Sequence, residues 1–151
     1  MPRSKGGTST GPFVLDTHVW IWLMEGLRSD LSNATVSAIE EAGSRSELAL
    51  AAISVWELGM LEAHGRITLS RSIDEWVRAA LTAPGVRIVD LTPEIAVEST
   101  RLPSDPHGDP ADRMIIATTR VLGGTLITCD EQILAYGARG HLSVRNGRAK
   151  F

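Results

Sequence analysis

The stretch Phe13-Val14-Leu15-Asp16-Thr17-His18-Val19-Trp20 decides how this chain reads. Three apolar residues run without a polar break into Asp16, and a helical pattern starts directly afterwards at His18, Val19 and Trp20. A short continuous apolar run marks a strand buried on both faces, so Asp16 is expected where that strand ends. In open α/β sheets the carboxyl ends of the strands are where ligands bind, which makes a carboxylate there a candidate functional group. Aspartate also caps helices well, and capping alone would account for Asp16 equally well. The choice between the two depends on whether other acids reach the same edge.

The same alternation repeats along the chain. LALAAI (48–53), VRIVDL (86–91) and TLITCD (125–130) read as further buried strands, and HLSVRN (141–146) as a weak edge strand. Helical spacing fills the intervals. A short helix runs from His18 to Met24; one opened by Ser32 closes at Gly43; another runs from Ser54 to Gly65. Ser72 starts a helix carrying Ile73, Trp76, Val77 and Leu81, and Pro93 starts one ending near Leu102. PSDPHGDP (103–110) is a loop, Ala111 to Gly124 a largely buried helix, and Glu131 to Gly137 a short one. Strands alternating with helices predict an α/β/α sandwich around a central parallel sheet of about five strands. Residues 1–12 read as a flexible leader, 13–146 as one domain and 147–151 as a basic tail.

Composition sets outer bounds. Hydrophobic residues make up 43% and charged residues 22% of 151, the balance of a globular chain long enough to bury a core. A single cysteine, Cys129, excludes an internal disulfide framework and a multi-cysteine zinc site, and fits a reducing cytoplasm. With no apolar stretch near the ~20 residues that span a bilayer and no apolar signal core, a cytoplasmic protein without a membrane segment is expected. The net charge of −3 is unevenly spread. All 18 acids lie between Asp16 and Glu131 against nine arginines, a balance of −9, while residues 132–151 add +4 through Arg139, Arg145, Arg148 and Lys150. A negative body with a basic end suits a site that gathers cations beside a polyanion.

Placed on this scheme, Asp16 ends the first strand, Asp130 ends the fourth, and Glu57 lies one turn into the helix after the second. Asp112 starts the buried helix that leads into the fourth strand. It reaches the same edge only if the helix from Pro93 descends and the loop 103–110 climbs back. Each acid has a local alternative. Ser54-Val55-Trp56-Glu57 has the form of a capping box, and Asp109-Pro110-Ala111-Asp112 offers an N-cap, a proline at the first helical position and a first-turn acid. Capping does not explain several acids at one edge with no lysine in the body. Crowded carboxylates persist by sharing a proton or binding a cation, and oxygen ligands favour Mg²⁺ or Mn²⁺ over zinc. His18, His64, His107 and His141 show no zinc spacing and read as surface or supporting residues.

The blocks LDTHVWIWL, SVWELGMLEAHGRITL, HGDPADRMIIATT and LITCDEQI, in that order, resemble PIN-domain ribonucleases, and the chain is similar to VapC-type toxins of type II toxin–antitoxin pairs. The resemblance covers residues 13–137 and implies a PIN-like α/β/α fold. It also implies Mg²⁺- or Mn²⁺-dependent cleavage of RNA, restrained by a cognate antitoxin. The family's acids fall on Asp16, Glu57, Asp112 and Asp130; Asp109 is a supporting residue, and Thr128 matches a hydroxyl that orients the last acid. Arg113, Arg145 and Arg148 are candidate RNA contacts, and a homodimer is expected. By the capping logic Asp109→Asn should be nearly silent, whereas Asp112→Asn should remove activity. Three alternatives remain at this level. A phosphoryl-transfer enzyme with nucleophilic Asp16 would need an acid where His18 stands, and a receiver-like module would need a late lysine, for which only Lys150 is available. The third is a catalytically inactive PIN-like interaction domain.

Overall fold

In the computed structural model, which describes residues 11–27, 30–106 and 108–148, the apolar run Phe13–Leu15 is β1. The expected leader through residue 10 and the last residues of the basic tail lie outside the described residues. The leader's end is already docked, because the Pro12 carbonyl accepts from the Thr125 amide at 3.0 Å. Helices α1 (Thr17–Glu25) and α2 (Asn33–Ser44) lead to β2 (Leu48–Ala51), α3 (Ala52–Ala63), α4 (Ile73–Leu81) and β3 (Val86–Val89). Then come α5 (Pro93–Thr100), α6 (Pro110–Leu122), β4 (Thr125–Thr128), α7 (Glu131–Ala138) and β5 (Val144–Asn146).

All strand pairs are parallel and their order is β3-β2-β1-β4-β5, so the expected α/β/α sheet is present, with β5 at an edge. Successive strand residues point to opposite faces. Leu15, Leu50 and Ile127 pack with Trp20, Ile39, Leu58 and Trp76 from α1 to α4. Val14, Ala49 and Leu126 pack instead with Ile95, Ile115, Ile116 and Ile133 from α5 to α7. Two apolar layers therefore clamp the sheet, which is why β2 and β4 carry no polar alternation. Among the described residues no helix is long and apolar enough to cross a membrane.

One element boundary departs from expectation. LALAAI leaves the strand at Ala51, and α3 begins at Ala52 rather than Ser54. Ala52 and Ile53 are apolar, and an apolar pair fits a strand end and a buried helix start alike. Ala51 is the N-cap and makes no side-chain cap bond, so the expected Ser54–Glu57 capping box is not formed.

Chain order sets the site's place. From β1 the chain builds outward to β2 and β3, then jumps back across to β4 on the other side of β1. The strand order reverses between β1 and β4, and at such a switch point a crevice opens outside the carboxyl ends.

Candidate acidic site

Asp16 and Asp130 sit where β1 and β4 end, one on each side of that crevice, and each caps the helix that follows. Asp16 accepts from the Thr17 amide at 2.9 Å through Oδ1; Asp130 accepts from the Gln132 and Ile133 amides at 2.8 and 3.1 Å. The capping alternative is thus real for both, and it coexists with convergence. Asp16, Glu57, Asp109, Asp112 and Asp130 line one cavity of about 260 Å³, together with His18, Trp22, Cys129 and Arg148. The structure brings the four main acids to a single edge from four separate segments. The first turn of α6 reaches this edge, as the placement of Asp112 requires.

Convergence is tightest where sequence reasoning put least weight. One carboxylate oxygen from each of Glu57, Asp109 and Asp112 lies within 4.8 Å of the other two. Asp109 also serves as N-cap of α6, its Oδ1 accepting from the Ala111 and Asp112 amides at 2.9 and 3.4 Å. Glu57 takes a 2.6 Å hydrogen bond from the Thr17 hydroxyl. Thr128, expected to orient the last acid, contacts that residue through its backbone and the first acid through its side chain. It donates to Asp16 Oδ2 at 2.6 Å and accepts from the Asp130 amide at 3.0 Å, so it braces the first acid's carboxylate and the last acid's backbone.

This crowding has an electrostatic signature. Desolvation, followed by the charges of Asp16, Asp109, Glu57 and Asp130, pushes the Asp112 carboxyl up to about 8. Burial also raises Asp16, against hydrogen bonds from Thr128 and Thr17, and raises Glu57, against the bond from Thr17. Carboxyls raised together in a small cavity are stabilised by any cation that enters it.

The arginines separate. Arg148 lines the cavity, with its guanidinium 5.6 Å from the centre of the Trp22 ring. Arg113 is committed elsewhere: Nε donates to the Ser99 carbonyl at 3.0 Å, and an Nη donates to Asp105 and the Pro106 carbonyl at 2.9 and 3.1 Å. Arg145 stands in β5 over the Phe13 ring, outside the cavity lining. Trp20 and Trp76 are core residues packed edge to face, Trp56 is exposed, and Trp22 and His18 meet at the cavity's wall. His64 and His141 lie outside the cavity lining, and His107 outside the described residues. Sequence reasoning missed Thr17, although its place directly after Asp16 was the available signal.

A doubly wound sheet with carboxylates converging on its switch crevice is the frame of a cation-holding acidic centre. The sequence pattern of the PIN domain matches residues 13–138, and the chain belongs to that family. It is 41% identical over 124 residues to ribonuclease VapC22 of Mycobacterium tuberculosis (strain ATCC 25618 / H37Rv), covering 82% of this chain and 90% of that protein. The fold is shared with the crystal structure of VapBC2 from Rickettsia felis bound to a promoter DNA fragment, at TM-score 0.65 and 14% identity over 89% of this chain and 97% of that one. It is also shared with FitAcB from Neisseria gonorrhoeae, at TM-score 0.58 and 22% identity over 89% and 97%.

Proposed function

We propose that this chain is a divalent-metal-dependent endoribonuclease acting as the toxin of a toxin–antitoxin pair. The carrying observation is the convergence of Asp16, Glu57, Asp112 and Asp130 on one cavity at the switch crevice. The similarity to a protein named as a VapC ribonuclease supports the same reading. The residues fit a hard cation: the lining offers carboxylate oxygens and no lysine, and three of those oxygens already stand close together. A bound Mg²⁺ or Mn²⁺ supplies Lewis acidity and water activation for phosphodiester hydrolysis.

The chain's own residues divide the remaining work. Glu57 and Asp112, with Asp109, present the convergent oxygens. Asp16 is held by the Thr17 amide and the Thr128 hydroxyl, and Asp130, anchored through Oδ1 to the first turn of α7, would add its carboxylate to those that hold the cation. Arg148 at the cavity wall is the best placed of the arginines to meet an RNA phosphate, and the beginning of the basic tail thus joins the site. Exposed Met24 and Leu27 at the end of α1, with Trp56 and Met60 on α3, give an antitoxin helix an apolar seat, whereas Trp22 and Leu61 are half-buried. The working form is taken as a homodimer, which light scattering on the purified chain reads directly.

Incubating the protein with an RNA panel, with and without Mg²⁺ or Mn²⁺, tests the activity. Metal-dependent cleavage that Asp16→Asn abolishes is expected. Producing the chain alone should slow growth, and a small neighbouring gene product should reverse this. Cleavage that continues under chelation, or that survives Asp16→Asn, removes the reading.

A further inference from the structure

In place of a capping box, Ser54 and Glu57 make contacts that run across the fold. Both meet Thr17 of α1: its Oγ1 is 2.6 Å from Glu57 Oε1 and 2.9 Å from Ser54 Oγ. Thr17 is 1% exposed and Ser54 0%, so water does not reach either hydroxyl to replace its partner. A threonine hydroxyl carries one proton, and an ionised carboxylate only accepts. The Thr17 hydroxyl faces both oxygens as donor, and its single proton favours Glu57 Oε1, the closer and more basic of the two. Ser54, Thr17 and Glu57 thus form one hydrogen-bonded cluster, with Glu57 at the acidic cavity.

Thr17 also binds a second acid. Its amide donates to Asp16 Oδ1 at 2.9 Å, so one buried residue fixes two carboxylates that are far apart in sequence. Glutamate is a long side chain, and Glu57 stands beside Asp109 and Asp112. Without a donor the carboxylate would swing away from like charge. We infer that Thr17, backed by Ser54, is a positioning residue that holds the Glu57 carboxylate in the acidic cavity, an inference that rests on the nuclease reading of that cavity. Groups of this kind, one bond behind a metal ligand, orient it before the ion arrives.

The test uses the full chain and three readouts: Mn²⁺ titration by calorimetry, RNA cleavage, and thermal melting without metal. Thr17→Val keeps the branched shape and removes the hydroxyl. It should weaken Mn²⁺ binding by about 10–100-fold and lower kcat with KM for RNA unchanged, while Thr17→Ser restores both. Ser54→Ala should act in the same direction but less, and it carries the test if Thr17→Val does not fold. In a Glu57→Ala background Thr17→Val should have no further effect on Mn²⁺ affinity, and the two changes should be non-additive in metal-free melting temperature. Wild-type Mn²⁺ affinity in Thr17→Val, an equal loss in both backgrounds, or additive melting shifts would overturn the inference and leave Thr17 a packing residue. A wild-type chain that neither binds Mn²⁺ nor cleaves RNA refutes the nuclease reading instead, and the melting cycle still decides the hydrogen-bonded cluster.

Discussion

Asp109 and Asp112 share the first turn of α6, and the structure gives them overlapping tasks. Asp109 Oδ1 accepts helix amides, which an asparagine does equally well, so Asp109→Asn keeps the cap and should not lower the melting temperature. Capping alone would also make this variant silent in activity. The geometry revises that expectation, because an Asp109 oxygen lies in the close set with Glu57 and Asp112. Asp109→Asn should therefore weaken Mn²⁺ binding by about tenfold, the effect of a supporting residue, whereas Asp112→Asn should abolish cleavage with the fold intact. The opposite ranking in a Mn²⁺ titration would move the third acid to Asp109. At this scale the sequence was readable where an apolar run ended in a carboxylate, as at Asp16 and Asp130. It was misleading at Ser54 and Glu57, because their spacing fits a capping box and the partner that claims them, Thr17, is a tertiary neighbour. No local pattern encodes that contact.

Element boundaries explain how the loop before α6 delivers its acids. Residues 101–109 carry positive φ at Ser104 and Asp105, and Arg113 reaches back from α6 to bind three groups flanking or within that loop. The Asp105 partner is 87% exposed and adds little; the bonds to the Ser99 and Pro106 carbonyls are the part that water does not replace. Arg113→Ala should cost about 1.5–3 kcal/mol, a fall in melting temperature of roughly 3–10 °C for a chain of this size. Arg148→Gln should leave melting unchanged and weaken RNA binding. For one lost contact to a single strand, the slope of log affinity against log salt should shrink by about 0.7. If the two arginines exchange these phenotypes in melting and salt-titration experiments, Arg113 is the phosphate contact after all. Helix starts marked by side-chain caps, at Ser32, Ser72 and Asp109, were legible. The start of α3 was not, because its cap is Ala51 and nothing distinguishes that residue in sequence.

At the scale of the whole molecule, alternation of strands and helices announced a parallel sheet but not the order β3-β2-β1-β4-β5 that opens the crevice beside β1. That order is set by which helix faces find room on each side of the sheet, a long-range property. Its consequence is that the fold gathers carboxylates that repel, and this links stability to pH. The Asp112 carboxyl titrates at an ordinary 3.8 when free and at about 8 in the folded chain, and Asp16 and Glu57 are shifted in the same direction. Between those limits the folded state binds more protons than the unfolded one, so stability falls as pH rises and levels off above about 8. Glu25 is shifted the other way: desolvation pushes it up, but bonds from Trp76 and Ser70 outweigh this and hold it below 4.5, so its effect lies under the window. The metal-free melting temperature should therefore decline from pH 5 to pH 8. Asp112→Asn should flatten that decline, raising the value at pH 8 and leaving it nearly unchanged at pH 5. A cation that binds only the folded, ionised site should reverse the decline, by an amount that grows with its concentration. Differential scanning calorimetry across this range, with chelator and then with Mn²⁺, reads all three effects. A metal-free melting temperature that rises towards pH 8, or that is the same for Asp112→Asn as for the wild type there, would mean the acids are not held against one another, and the case for a cation site built on their crowding would fall with it.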